Sequence, residues 1–405
     1  MDLNKQYAQI RGEINQAIRE VLESQAFILG PQVERFERKM AALLGVDHAI
    51  GVASGTDALL LSLMALGVKA GDRVLTVAYT FFATSGSISR LGALPVYVDI
   101  DPRTYNLDPN RLEDTLKKIR RKAERPKVLM PVHLFGQMAD MPAIMEIARQ
   151  YEMGVVEDAA QALGARQEIN SPSEGRGSPG EWMAGTVGNL GCFSFYPTKN
   201  LGGIGDGGMV VTQDGKLAEK VRLLRVHGEK LRYHHQLVGI NSRMDALQAA
   251  VLRVKLKYLN RWTESRRRNA ERYRFLFPEA GLRTPAVSLP AAQSGHYHIF
   301  HQFVIRAKRR DALREHLTRK GIGSAIYYPV PLHLQACYRS LGYHPGDLPE
   351  SERAARETLA LPIYPELTSG QQRKVVQAIA DFYSPQRSQR RRRSKIKGKK
   401  QNGNP

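Results

Sequence analysis

Between Phe36 and Val211 the chain alternates short apolar runs with amphipathic stretches, and this alternation restricts the possible folds most. The apolar runs lie at 48–52, 73–77, 95–98, 127–132, 154–157, 192–195 and 209–212, each of strand length. Between them, 58–65, 82–91, 112–119 and 141–150 repeat apolar residues at helical spacing. Strands separated by helices form a mostly parallel sheet covered on both faces, an α/β architecture. Ligands of such sheets bind beyond the carboxyl ends of the strands. A helix is also expected over 33–44, and a long amphipathic one over 244–275 that places Leu247, Val251, Val254, Leu256 and Leu259 on one side. Past Pro278 come a Pro-rich stretch, a strand-like run at 298–305, a helix at 309–320, the Pro-rich 327–331 and a helix at 369–383, which together read as a small α+β unit. The expected division is 1–260, 261–384 and a basic tail at 385–405.

Composition narrows the class. A hydrophobic fraction of 42% and a charged fraction of 24% exclude wholesale disorder and disulfide miniproteins. Cys192 and Cys337 are too far apart in sequence for a C-x-x-C pair, so a thiol-held metal is not expected and a reducing compartment fits. Residues 1–11 are polar, unlike a signal peptide, and no window approaches the ~20 apolar residues of a membrane span. A cytoplasmic protein is expected. The net charge is +21, and 386–405 supplies nine cations, no acid and a single apolar residue, Ile396, leaving +12 on the rest. Such a tail is expected to be disordered, either merely solvated or in weak contact with polyanions. The +12 body should attract anionic ligands.

Three segments could carry chemistry. Ser54-Gly55-Thr56-Asp57 opens the helix that follows the first strand, where backbone N–H groups and the helix dipole favour a phosphate. The same residue types are also ordinary helix caps. The strand at 154–157 runs into the acids Glu157 and Asp158, placed to hold a cationic nitrogen or a metal, although Asp158 could simply cap the next helix. Finally, Cys192-Phe193-Ser194-Phe195-Tyr196-Pro197-Thr198-Lys199-Asn200 leads into Gly202, Gly203, Gly205, Gly207 and Gly208. A lysine leaving an aromatic strand into glycines can be desolvated, lose its proton and attack a carbonyl. A phosphate cradle, a carboxylate and a nucleophilic lysine are the parts required by pyridoxal phosphate (PLP).

At these residues the sequence resembles the DegT/DnrJ/StrS-type sugar aminotransferases, of the aspartate-aminotransferase fold (PLP fold type I). The marks are Gly30-Pro31, Ser54-Gly55-Thr56-Asp57-Ala58, Glu157-Asp158-Ala159-Ala160-Gln161, Phe193-Ser194-Phe195-Tyr196-Pro197 with Lys199-Asn200, and Gly205-Asp206-Gly207-Gly208. They span a resemblance from about residue 2 to 383. It implies a large PLP-binding domain at 1–260, with N-terminal helices, and a small C-terminal domain at 261–384. It also implies roles. Lys199 would bind the cofactor covalently, Asp158 would pair with its ring nitrogen and Gln161 would meet its phenolic oxygen. Gly55, Thr56 and Ser194 would hold the phosphate. Phe81 takes the place of the stacking aromatic, though by composition it also reads as a core residue. Asn241 would reach the phosphate and Arg243 the sugar of a partner chain, implying a homodimer with shared sites. Tyr327, Tyr328 and His333 match a substrate-side stretch, while His234 and His235 read equally well as surface residues.

Two features depart from the family pattern: the basic tail, and an excursion over 166–185 that reads as flexible surface chain. The expected activity is transfer of an amino group, with glutamate as donor, to a nucleotide-linked 3-keto sugar. UDP-2-acetamido-2-deoxy-3-oxo-glucuronate is preferred, because Arg243 could pair with its carboxylate. A dTDP-3-keto-6-deoxyhexose aminotransferase, a catalytically silent PLP-binding regulator and, from charge alone, a nucleic-acid binder are the alternatives.

Overall fold

The computed structural model describes residues 3–119, 125–169 and 180–384. The basic tail at 385–405 and the middle of the excursion, 170–179, lie outside the described residues. The apolar runs become seven strands of one sheet: β1 (His48–Val52), β2 (Arg73–Val77), β3 (Leu94–Val98), β4 (Val128–Leu129), β5 (Gly154–Asp158), β6 (Leu190–Ser194) and β7 (Gly208–Thr212). Their order is β1-β7-β6-β5-β4-β2-β3. Only β7 runs against its neighbours β1 and β6; the remaining pairs are parallel, so all the other strands end at one edge. This is the expected α/β class.

Strand alternation sends adjacent residues to opposite faces. Leu75 and Val77 join Phe36, Met40, Leu129 and Ile144 in one core. Val74 joins Ile50, Val156, Val210 and the helix residues Leu59, Leu61 and Leu63 in the other. The helix Gly55–Ala65 has Ala58 through Leu63 buried without a break, as befits one enclosed on all sides. A smaller antiparallel sheet of Val287–Ser288, Phe303–Ala307 and Thr358–Leu361 packs under helices Leu259–Glu279 and Ser369–Tyr383 through Tyr273, Phe277, Phe303 and Ile379. Among the described residues, no helix is long and apolar enough to cross a membrane.

Three expectations need correction. The helix expected over 244–275 is two helices, Ala246–Leu256 and Leu259–Glu279. Tyr258 stacks on Trp262 with ring centres 5.6 Å apart, and Lys257 Nζ and Tyr258 OH both bond to Glu13 of helix Leu3–Ser24. These contacts lie at the break, where periodicity alone would continue the helix. The strand expected over 298–305 starts only at Phe303, because Ile299 N and Gln302 N donate instead to Gly136 O and Phe135 O, while His296–Tyr297 just before them pairs with Arg166–Glu168. That pairing also ties down the excursion: Arg166–Glu168 and Glu181–Met183 form a three-stranded sheet with His296–Tyr297.

Two buried carboxylates lock the loops around the strand ends. Asp99, after β3, accepts from the backbone N–H of Glu350 at 2.9 Å and of Ser351 at 2.8 Å, and from Ser351 Oγ at 2.7 Å. It thereby caps helix Pro349–Glu357 from a distant part of the chain. Glu157 Oε1 accepts from Val187 N at 2.7 Å and Gly188 N at 2.6 Å, and Oε2 from Gly185 N at 2.9 Å. His133 Nδ1 accepts from Ala139 N, so its proton sits on Nε2, which donates to Glu157 at 2.8 Å. Glu157→Ala would leave three buried N–H groups and an imidazole unpaired. It is expected to destabilise the protein by about 3–5 kcal/mol, measured as an earlier urea midpoint; a shift below about 1 kcal/mol would contradict this account.

Candidate active site

The loops at the carboxyl ends of β1, β2, β5 and β6 enclose a cavity of about 620 Å³. Gly55, Thr56, Phe81, Asp158, Gln161, Ser194, Lys199, Tyr327 and Tyr328 all line it, although they come from segments far apart in sequence.

One end is an anion cradle. Ser54 caps helix Gly55–Ala65 by accepting from Asp57 N at 3.0 Å. The helix's first N–H groups have no intrahelical acceptor. A Cβ at Gly55 would stand 2.6 Å from Ser194 Cβ, so only glycine lets the helix start approach the end of β6. Backbone N–H groups, the Thr56 hydroxyl and Ser194 Oγ thus border one small space.

The other end is a carboxylate without a bonded cation. Asp158 is 5% exposed; its Oδ2 accepts from Thr84 Oγ1 at 2.8 Å and its Oδ1 from Ala160 N at 3.2 Å. Burial pushes its pKa above the ordinary value, while these two donors, Lys199 and His133 oppose the shift. A proton on a ring nitrogen placed there would supply the missing counter-charge.

Lys199 lines the wall between these ends, just past β6, its backbone N–H donating to Tyr196 O at 2.8 Å. Burial lowers its amine to about 8, against the opposing charge of Asp158. Gln161 is fixed at both ends: Oε1 accepts from Phe135 N at 2.9 Å and Nε2 donates to Tyr328 OH at 3.0 Å. Phe81 is 55% exposed, with its ring centre 6.0 Å from that of Tyr328, so it borders the cavity rather than filling a core. Cradle, amine and desolvated carboxylate are the donor set that pyridoxal phosphate needs, and the residues present fit it.

The family model for DegT/DnrJ/EryC1/StrS aminotransferases matches residues 8–380. The chain belongs to this family. Its cofactor is pyridoxal phosphate, as the site requires. A "pleiotropic regulatory protein" of Geobacillus stearothermophilus is 48% identical over 95% of this chain and 98% of its own. A UDP-N-acetyl-3-dehydro-α-D-glucosamine 3-aminotransferase of Acidithiobacillus ferrooxidans is 41% identical over 94% and 96%. The crystal structure of S. venezuelae DesV in complex with a ketimine intermediate is 40% identical, covers 94% of this chain and 97% of its own, and superimposes with a TM-score of 0.85.

Three expected site residues stand outside the cavity. Asn241 is exposed and Arg243 half-buried, on the segment that precedes helix Ala246–Leu256, and neither lines the cavity of its own chain. His333 departs from the expected substrate contact. Its side chain is fully buried, with Nε2 3.3 Å from Glu352 Oε1 and its ring between Tyr97 and Tyr343. It packs behind the Tyr327 and Tyr328 segment instead of facing the cavity, because the apolar Leu332 carries this turn into the cluster with Ala78 and Tyr97.

Sequence reasoning missed Thr84, the hydroxyl that holds Asp158, and also His301 and Gln302, which line the cavity. The only signal for His301 was a histidine inside an apolar run; burial holds it well below its ordinary pKa. In the cofactor-free protein, reductive alkylation of Lys199 should rise with a midpoint near pH 8, because burial favours the neutral, reactive amine. Peptide mapping across a pH series checks this, and a midpoint near the ordinary lysine value of 10.5 would contradict it.

Proposed function

We propose that this protein transfers an amino group from glutamate to the keto carbon of a nucleotide-linked 3-keto sugar, UDP-2-acetamido-2-deoxy-3-oxo-glucuronate. The carrying observation is that one cavity brings together Lys199, Asp158 and the helix start at Gly55 and Thr56. When bound, pyridoxal phosphate supplies an aldehyde with which amines condense and a ring that accepts the electron pair left by a departing proton. Gly55, Thr56 and Ser194 would hold its phosphate. Phe81 would border its ring, Gln161 would offer its amide to the phenolic oxygen, and Asp158, steadied by Thr84, would keep the ring nitrogen protonated. Lys199 Nζ would take up the proton released from the donor's amino-bearing carbon and, in the second half-reaction, would supply the proton to the sugar carbon that receives the amino group. Its lowered pKa leaves a usable share of free amine near neutrality. Tyr327 and Tyr328 form the substrate-side wall.

A homodimer with shared sites accounts for Asn241 and Arg243, which would complete the cavity of a second copy. In support, Leu231 is 70%, Tyr233 76% and Val238 91% exposed just ahead of them, apolar surface that a partner would cover. Arg243 also carries the choice of a uronate: its Nε is buried without a hydrogen-bond partner among the described residues, and a guanidinium grips a carboxylate in bidentate fashion. The A. ferrooxidans relative's UDP-linked 3-dehydro sugar supports the nucleotide and the 3-keto position. The second reading, a cofactor-binding regulator without turnover, rests on the name of the G. stearothermophilus relative. The presence of Lys199 and Asp158 in the same cavity favours catalysis.

Mixing the cofactor–amine form with purified 3-keto and 4-keto nucleotide sugars should discharge the amine with the 3-keto UDP-uronate. No discharge with any of them would favour the regulator. Arg243→Ala should cost about 2–5 kcal/mol in kcat/KM for the uronate, and much less for a 6-deoxy sugar, which offers no anion; equal losses would remove the case for the uronate. Combining inactive Lys199→Ala and Arg243→Ala chains should restore activity, because one site of each mixed dimer regains a full set. Persistent inactivity of verified mixed dimers would show that Arg243 serves no partner site.

A further inference from the structure

The chain buries a second lysine under the loop that carries Lys199. Lys255, near the end of helix Ala246–Leu256, is 7% exposed. Its ammonium donates to Gly202 O at 2.7 Å and lies 3.4 Å from Gly203 O, and burial lowers it to about 8 with no carboxylate opposing the shift. Withdrawing an ammonium from water without an anionic partner is costly, and an apolar side chain would fill the same space without that cost. A cation near a helix end often serves that helix's own carbonyls, but Lys255 reaches away from its helix.

Its acceptors follow directly on Lys199, Asn200 and Leu201. Two turns earlier on the same helix face, Gln248 Oε1 accepts from Ile204 N at 2.9 Å. The fit is tight: a Cβ at Gly203 would stand 2.5 Å from Gln248 Oε1, and one at Gly205 2.7 Å from its Nε2. On the opposite flank Asn200 Nδ2 donates to Leu163 O at 2.8 Å, and Gly203 N closes the loop on Phe195 O at 2.7 Å. The residues on either side of Lys199 are therefore gripped, while its own side chain is left to the cavity.

We propose that Lys255, with Gln248, is the positioning residue for Lys199, fixing the loop so that Nζ meets the reacting carbon at the angle that proton transfer requires. This rests on reading the cavity as an aminotransferase site. The test uses the holoenzyme of the full chain and compares wild type with Lys255→Met, which removes the donor at similar length, and Lys255→Arg, which keeps a cation. Lys255→Met should retain cofactor on Lys199 yet show an altered visible circular-dichroism band of that cofactor. Its kcat with glutamate should fall about 10–100-fold, as small misplacements of a catalytic group do, with KM nearly unchanged. Lys255→Arg should recover much of both. If Lys255→Met does not fold, Gln248→Leu, which releases Ile204 N–H, should show the same band change and loss of kcat.

An unchanged band and kcat in the folded variant would overturn the inference, as would losses that follow the melting temperature equally in both Lys255 variants. If wild type itself fails to carry cofactor on Lys199, the reading of the site fails instead.

Discussion

The carboxyl end of β5 is the point to which the rest of the site is referred. Asp158 N donates to Pro131 O at 2.9 Å, His133 N donates to Asp158 O at 3.0 Å and Ala159 N to Cys192 O at 2.9 Å, so the neighbouring strands hold this backbone from both sides. Because successive strand residues point oppositely, Glu157 enters the turn at Gly185, Val187 and Gly188 while Asp158 enters the cavity. The first acid fixes the strand end, and the second inherits that rigidity. Two adjacent carboxylates therefore do different work, decided by which face each one meets.

The charges of the cavity are complementary to what it binds. Burial raises Asp158 and lowers Lys199, so by itself the site disfavours the charged form of each. A ligand bringing a protonated ring nitrogen to Asp158 and a phosphate to the helix start restores the balance. The aldehyde of such a ligand also suits an amine held near neutrality. The same desolvation that makes the empty arrangement uneasy thus selects its occupant.

The Tyr327 and Tyr328 wall of the cavity is positioned from the large sheet. Tyr79, just beyond β2, is fully buried and donates to the Tyr327 carbonyl while bonding Thr358 Oγ1 at 2.6 Å. Asp99 caps helix Pro349–Glu357, and Arg306 of the small sheet donates from Nε to Tyr105 OH at 3.1 Å. Tyr327 and Tyr328 therefore face the cofactor cavity from a segment anchored to the same scaffold as Asp158. An adjoining cavity of about 510 Å³ shares Thr198, His301, Gln302 and Tyr327 with the first.

Local pattern was enough to read the seven strands, the order of helices between them and the three cofactor segments, because periodicity, apolar run length and the chemistry of Lys199, Asp158 and Gly55 are properties of neighbouring residues. The helix at 141–150 and the helix at 369–383 start where expected because the side chains of Asp140 and Thr368 cap them locally. What depended on distant contacts was not legible. Glu13 meets Lys257 and Tyr258 at a break between two helices whose sequence is periodic throughout, and His296–Tyr297 draws Arg166–Glu168 and Glu181–Met183 into a sheet. His333 matches a substrate-side stretch only through the family resemblance, and the direction of one turn buries it against Glu352. Thr84 and Lys255 act through bonds to residues far away in sequence, Asp158 and Gly202, and no periodicity records a partner that only folding brings near.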